Sequence, residues 1–248
     1  MRIIRNKRIG RVLYLVEGDV DEVVLLEHIF NSLLGYHTVA YDKRNKKVTC
    51  LEADNDQYSK VFIVPMEYSA VSKISTSTEY IEYIYKTLKQ YGLEKDECAK
   101  YLIFDRDRES NAVKKYRELM EIFKNSLDND LEINGLLLVS YPCMQAILCE
   151  CFDDEIKISS SDQMKNYSKI YKISDIDEEK LLLATKHLIT TVNNIMLTIQ
   201  FDINNLDNME HVNKEILLFE EDYFLKNHSY LTLSTILFSL IDLGIIEL

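Results

Sequence analysis

Two short apolar runs end abruptly in carboxylates, and this pairing constrains the fold more than any other feature. Val12-Leu13-Tyr14-Leu15-Val16 leads into Glu17-Gly18-Asp19-Val20-Asp21-Glu22, and Tyr101-Leu102-Ile103-Phe104 leads into Asp105-Arg106-Asp107-Arg108-Glu109. An uninterrupted apolar run of this length reads as a strand covered on both faces, the hallmark of a parallel sheet with helices above and below. The acids then stand at strand C-terminal tips, where α/β sheets bind ligands. Clustered carboxylates repel one another unless a hard cation such as Mg²⁺ lies between them. Such a site suits phosphoryl chemistry.

Further elements fit the same plan. Strands are expected over 11–16, 37–41, 47–51, 61–65, 101–104 and 133–140. Helical spacing marks 21–34, 78–91, 111–125 and 142–152. The predicted fold is α/β: a Rossmann-like, mainly parallel sheet flanked by helices over 1–152. The C-terminal part changes character, with helical patterns near 178–199, 210–225 and 230–243. A helical appendage over 153–248 is therefore expected, offering a surface for a partner or a second copy.

Charge supports this division. The chain of 248 residues has a net charge of −12. Residues 1–150 hold 21 Lys and Arg against 24 Asp and Glu, whereas residues 151–248 hold 8 against 17. The acidity is concentrated in the C-terminal part, which softens its argument against a nucleic-acid partner. No apolar run reaches membrane-spanning length, and no secretory signal follows the basic start. Five irregularly spaced cysteines read as reduced thiols in a cytoplasmic protein rather than as disulfides or a zinc site.

The acidic motifs carry the chemistry. Glu17 is placed at a strand tip, Gly18 permits a tight turn with close backbone approach, and Asp21 falls in the first helical turn. Taken alone, this is equally a plain strand–turn–helix with a capping Asp. In extended chain Asp105 and Asp107 point the same way and can share a cation, with Glu109 repeating the spacing. Taken alone, that segment also fits a salt-bridged surface turn. Arg106, Arg108, Lys114 and Lys115 are cations beside the acids, suited to a phosphate. Two other basic clusters, Arg2/Arg5/Lys7/Arg8/Arg11 and Lys43/Arg44/Lys46/Lys47, read first as solvated faces. The chain has no Gly-rich phosphate loop, and its five histidines are scattered.

Together the motifs resemble the Toprim domain of topoisomerases, bacterial primases, OLD-family nucleases and the ribosomal-RNA maturase. That family carries Glu-Gly after its first strand and Asp-x-Asp after a later one. The likeness covers 12–22 and 101–109. It implies that Glu17, Asp105 and Asp107 are catalytic and hold Mg²⁺ or Mn²⁺, with Asp21 and Glu109 as secondary ligands. The segment Leu136-Leu137-Leu138-Val139-Ser140-Tyr141-Pro142-Cys143 is similar to the strand and turn of RloB-like defence proteins. There a Glu commonly follows the Pro-Cys pair by two residues. Here Met144-Gln145 stands in that place, and Glu150 lies further along the expected helix.

The resemblance implies a metal-dependent nuclease cutting RNA (tRNA among the candidates) or DNA. It further implies an anti-phage effector of the OLD, RloB-like or PARIS-effector kind, acting by abortive infection. Because the chain lacks an ATPase motif, control by a separate ATPase partner is expected, and a homo-oligomer is left open. A housekeeping RNA-processing enzyme like the maturase and a non-catalytic regulator are the alternatives.

Overall fold

The computed structural model describes residues 1–18, 20–41, 48–66, 98–106, 112–127, 135–152, 158–196 and 209–248, with 82, 86, 89, 93 and 108 besides. Compactness divides the chain into two units. One comprises 1–4, 104–109 and 138–248, and the other 5–103 and 110–137. This division differs from the expected 1–152 and 153–248 in grouping 1–4, 104–109 and 138–152 with the C-terminal part. Residues 138–152 group with the C-terminal helices because helix Ala146–Phe152 packs against helix Glu178–Ile195.

Ten short strands can be labelled along the described chain: β1 Arg2–Ile3, β2 Arg11–Val16, β3 Tyr36–Tyr41, β4 Thr49–Ala53, β5 Asp56–Pro65, β6 Cys98–Asp105, β7 Lys124–Asn125, β8 Gly135–Tyr141, β9 Leu233–Ser234 and β10 Ile246–Glu247. The second unit is built on a mixed sheet in the order β3-β4-β5-β2-β6-β8-β7. Its centre is parallel: β2 pairs with β5 through Val12↔Val61 and with β6 through Val12↔Ala99. Residues Val12 to Val16 are all at most 1% exposed, which explains the continuous apolar run. Tyr14 stacks on Tyr101 with centroids 5.2 Å apart and meets Phe30 at 6.0 Å. The flanks are antiparallel: β3 with β4, β4 with β5, and β7 with β8.

The first helix, Asp21–Glu27, continues as a π-helical turn over His28–Leu33. It stops at Gly35, whose φ of +73° suits the residue that ends a helix. The expected hairpin is present as β3 and β4, though its tip at 42–47 lies outside the described residues. So does most of the expected helix 78–91, of which Glu82, Lys86 and Lys89 are helical.

Three expected boundaries move. The helix predicted over 111–125 is Val113–Met120, and Lys124–Asn125 forms β7 against Gly135 and Leu136 instead. Tertiary pairing overrides helical spacing there. The helix predicted from Pro142 begins at Ala146. Ser140 stays in β8, where its carbonyl accepts from the Arg106 amide. The third predicted C-terminal helix, 230–243, shortens to Leu237–Asp242 because Leu233 and Ser234 pair with Tyr141 and Ser140.

In the first unit, β1 pairs antiparallel with β10. The remaining helices are Ser161–Tyr167 and Met209–Asn227. Two helix starts are capped as the chemistry of Ser and Asp favours: Ser160 accepts from the Gln163 amide, and Asp177 accepts from the Lys180 amide. No helix among the described residues is long and apolar enough to cross a membrane.

Candidate functional site

The two acidic motifs follow strands as expected. The Glu17 amide donates to the Ile103 carbonyl, so the residue directly after β2 is still held by β6. Asp21 is exposed and opens helix Asp21–Glu27, but the residue at the capping position is Val20, with no side-chain cap. Within the same turn the unexpected residue is Glu22. It is 6% exposed and folds its carboxylate over the backbone of Gly18. A β-carbon at position 18 would lie 2.8 Å from Glu22 Cδ and Oε1. The group that approaches Gly18 this closely is therefore the Glu22 side chain, and Gly18 is not in the left-handed region.

Asp105 is the last residue of β6 and belongs to the first unit, whereas Glu17 belongs to the second. Asp105 Oδ1 accepts from the Met144 amide at 2.8 Å, which fixes how its carboxylate is turned. The 143–145 turn thus addresses Asp105 through backbone rather than through an acidic side chain. Glu150, the other acid of that segment, is buried with Oε1 accepting from the Ser234 amide at 3.2 Å. Its Oε2 has no hydrogen-bond partner, and burial pushes its carboxyl well above the usual range. An enclosed carboxyl of this kind belongs to the interior of the first unit.

Asp107 and Glu109 lie outside the described residues. Arg106 and Arg108, beside and between them, are among the described residues. Arg106 is 3% exposed, and its Nε and Nη2 both donate to Glu221 Oε1, at 2.9 and 2.8 Å. Arg108 Nη2 meets Glu221 Oε2 at 2.9 Å, its guanidinium lies 4.3 Å over the Phe224 ring, and its amide donates to the Tyr230 hydroxyl. Two of the four expected phosphate ligands, Arg106 and Arg108, are thus engaged with helix Met209–Asn227. The neighbouring Glu220 is 1% exposed, and burial raises its carboxyl well above the usual range, with Glu221 adding to the rise. Lys114 and Lys115 sit on helix Val113–Met120, Lys114 exposed and 3.8 Å from Glu118 across one turn.

Other charged groups escaped sequence reasoning. Glu221 lies 115 residues beyond Arg106, and no local spacing announces that pair. Lys100 is fully buried in the middle of β6, with Nζ donating to the Cys98 carbonyl at 2.9 Å. An interrupted apolar run was its sole signal.

The acids offer oxygen donors of the kind Mg²⁺ or Mn²⁺ takes. Among the described residues, no three His, Cys, Asp or Glu side chains gather closely enough to hold a metal ion. Comparison with protein-family models, with curated proteins and with solved structures finds nothing that matches this chain.

Proposed function

We propose that this chain is a Toprim-type, metal-dependent phosphodiesterase acting on nucleic acid. The observation that supports it most is the placement of two motif acids. Glu17 follows β2 and Asp105 ends β6, and these strands pair in parallel through Val16↔Ile103. Carboxylates at the C-terminal ends of central parallel strands are where an α/β sheet does its chemistry.

In this reading Glu17, Asp105 and Asp107 hold one or two Mg²⁺ or Mn²⁺ ions, with Asp21 and Glu109 as outer ligands. The bound cation would activate water and offset charge on the phosphodiester. The chain's own contribution is orientation. The Met144 amide fixes the Asp105 carboxylate, and the Ile103 carbonyl holds the Glu17 backbone. Lys114 and Lys115 are the cations of the motif region suited to a phosphate, since Arg106 is enclosed with Glu221. A role as an anti-phage effector under a separate ATPase partner is supported by the motif resemblance.

The test is cleavage of tRNA, single-stranded RNA, plasmid and linear DNA with Mg²⁺ or Mn²⁺. Metal-dependent cutting by the wild type should be lost in Glu17→Ala and in Asp105→Ala, both of which should keep a cooperative melt. A folded Asp105→Ala protein with full activity would sink the assignment.

A further inference from the structure

At the start of the second unit, a half-open cleft of about 450 Å³ is lined by Arg5, Asn6, Lys7, Arg8, Gly35, Ala53, Asn55 and Asp56. Its volume falls in the range of small-ligand sites. Arg5, Lys7 and Arg8 are all exposed, and Asp56 is the one carboxylate among the lining residues, so the cleft is net positive. The cleft lies toward the N-terminal end of β2, whereas Glu17 follows its C-terminal end. The strand between them is six residues long, or about 20 Å at ~3.3 Å per residue.

Its rim is built rather than a loose run of charge. The Arg8 guanidinium meets Asp56 Oδ2 at 3.3 Å and lies 5.2 Å over the Tyr58 ring. Asp56 is itself held by the Ser59 hydroxyl at 2.7 Å and by the Tyr58 amide at 3.1 Å. Ser59 Oγ in turn accepts from the Ile9 amide, tying the basic segment to β5. The Ser59 hydrogen bond, with the Tyr58 amide and Arg8, keeps Asp56 below the usual carboxylate range and therefore ionised. Asn55 Nδ2 donates to Asn6 Oδ1 at 3.3 Å, which joins two of the lining amides. Tyr58, two residues along β5 from Asp56 and next to Arg8, is 62% exposed.

We propose that this cleft binds a nucleoside phosphate unit. Arg5 and Lys7 take the phosphate, the Asn6 and Asn55 amides meet a base edge, and Tyr58 offers a ring for stacking. Arg8 is a structural member, fixed by Asp56. The unit is either a free nucleotide or one residue of a single strand, and both present the same chemistry. The proposal does not rest on the cleavage reading, because binding is measured in EDTA, where no metal-dependent cutting occurs.

The measurement is fluorescence anisotropy of a short labelled single-stranded RNA, titrated between about 50 and 200 mM salt. Wild type, Lys7→Ala, Lys7→Arg and Arg5→Ala/Lys7→Ala are compared, with thermal melts to verify folding. Each lost cation should shallow the slope of log K against log salt by about 0.7. Lys7→Arg should keep the wild-type slope. Displacement of the RNA by millimolar AMP from the wild type identifies a free-nucleotide site. RNA binding that AMP leaves untouched identifies a strand-tracking site. The proposal is overturned if neither RNA nor AMP binds, if polyglutamate binds in their place, or if Lys7→Ala retains the wild-type slope and affinity.

Discussion

Two buried carboxyls set a pH dependence of stability that runs opposite to that of most acidic proteins. Glu150 is 4% exposed and Glu220 is 1% exposed. Burial raises both well above the ordinary value of 4.5. Between 4.5 and their folded values, the native state holds protons that the unfolded chain has released. Stability is therefore fully present below about pH 4.5 and declines as pH rises through that window. The slope is about 1.4 kcal/mol per pH unit for each group, so about 2.7 for the pair while both remain protonated. Asp56 and Asp177 act in the other sense, since their folded values are lowered from 3.8. Their contribution is lost only as pH falls below about 4, so among the described residues the two glutamates are the carboxyls whose raised values act between pH 5 and 7. The perturbation is Glu150→Gln with Glu220→Gln. The amide keeps an acceptor for the Ser234 N–H and carries no charge to bury. Urea unfolding at several values from pH 5 to 7 should show a falling ΔG for the wild type and a flatter line for the double variant. Parallel lines for the two proteins would refute the reasoning.

Two further substitutions test the other charged features. Gly18→Ala puts a methyl group into the Glu22 carboxylate and should cost about 1–2 kcal/mol. Adding Glu22→Ala should recover most of that loss, and chemical denaturation of all four proteins gives the coupling. Glu221→Ala leaves Arg106 and Arg108 without the carboxylate they share, and should cost about 3–5 kcal/mol by the same assay.

Local pattern reveals this fold where the pattern is long and covered evenly. β2 and β6 are legible because both faces are buried, and the helices Glu178–Ile195 and Met209–Asn227 because their apolar positions recur over several turns. The two-residue strands β1, β7, β9 and β10 carry no period at all and exist through their partners. The candidate site divides in the same way. Glu17 and Asp105 follow their strands as their positions in sequence predict. The role of Arg106 could not be read there, because its partner is Glu221, on a helix that local sequence gives no reason to connect with it. Glu22 was legible only as a helix-opening acid, since its fold-back over Gly18 depends on the three-dimensional path of the turn.

Cys50 and Cys98 lie in the second unit, and Cys143, Cys149 and Cys151 in the first. None of the five forms a disulfide, each is at most 7% exposed, and burial raises the pKa of the Cys50 and Cys151 thiols. A thiol held this way reacts with a disulfide reagent only when its surroundings open. The chain therefore carries its own set of opening reporters, distributed over both units with no engineering needed. Modification rates read peptide by peptide in a mass spectrometer would rank the breathing of each unit, and a bound ligand would appear as selective slowing in the unit that holds it.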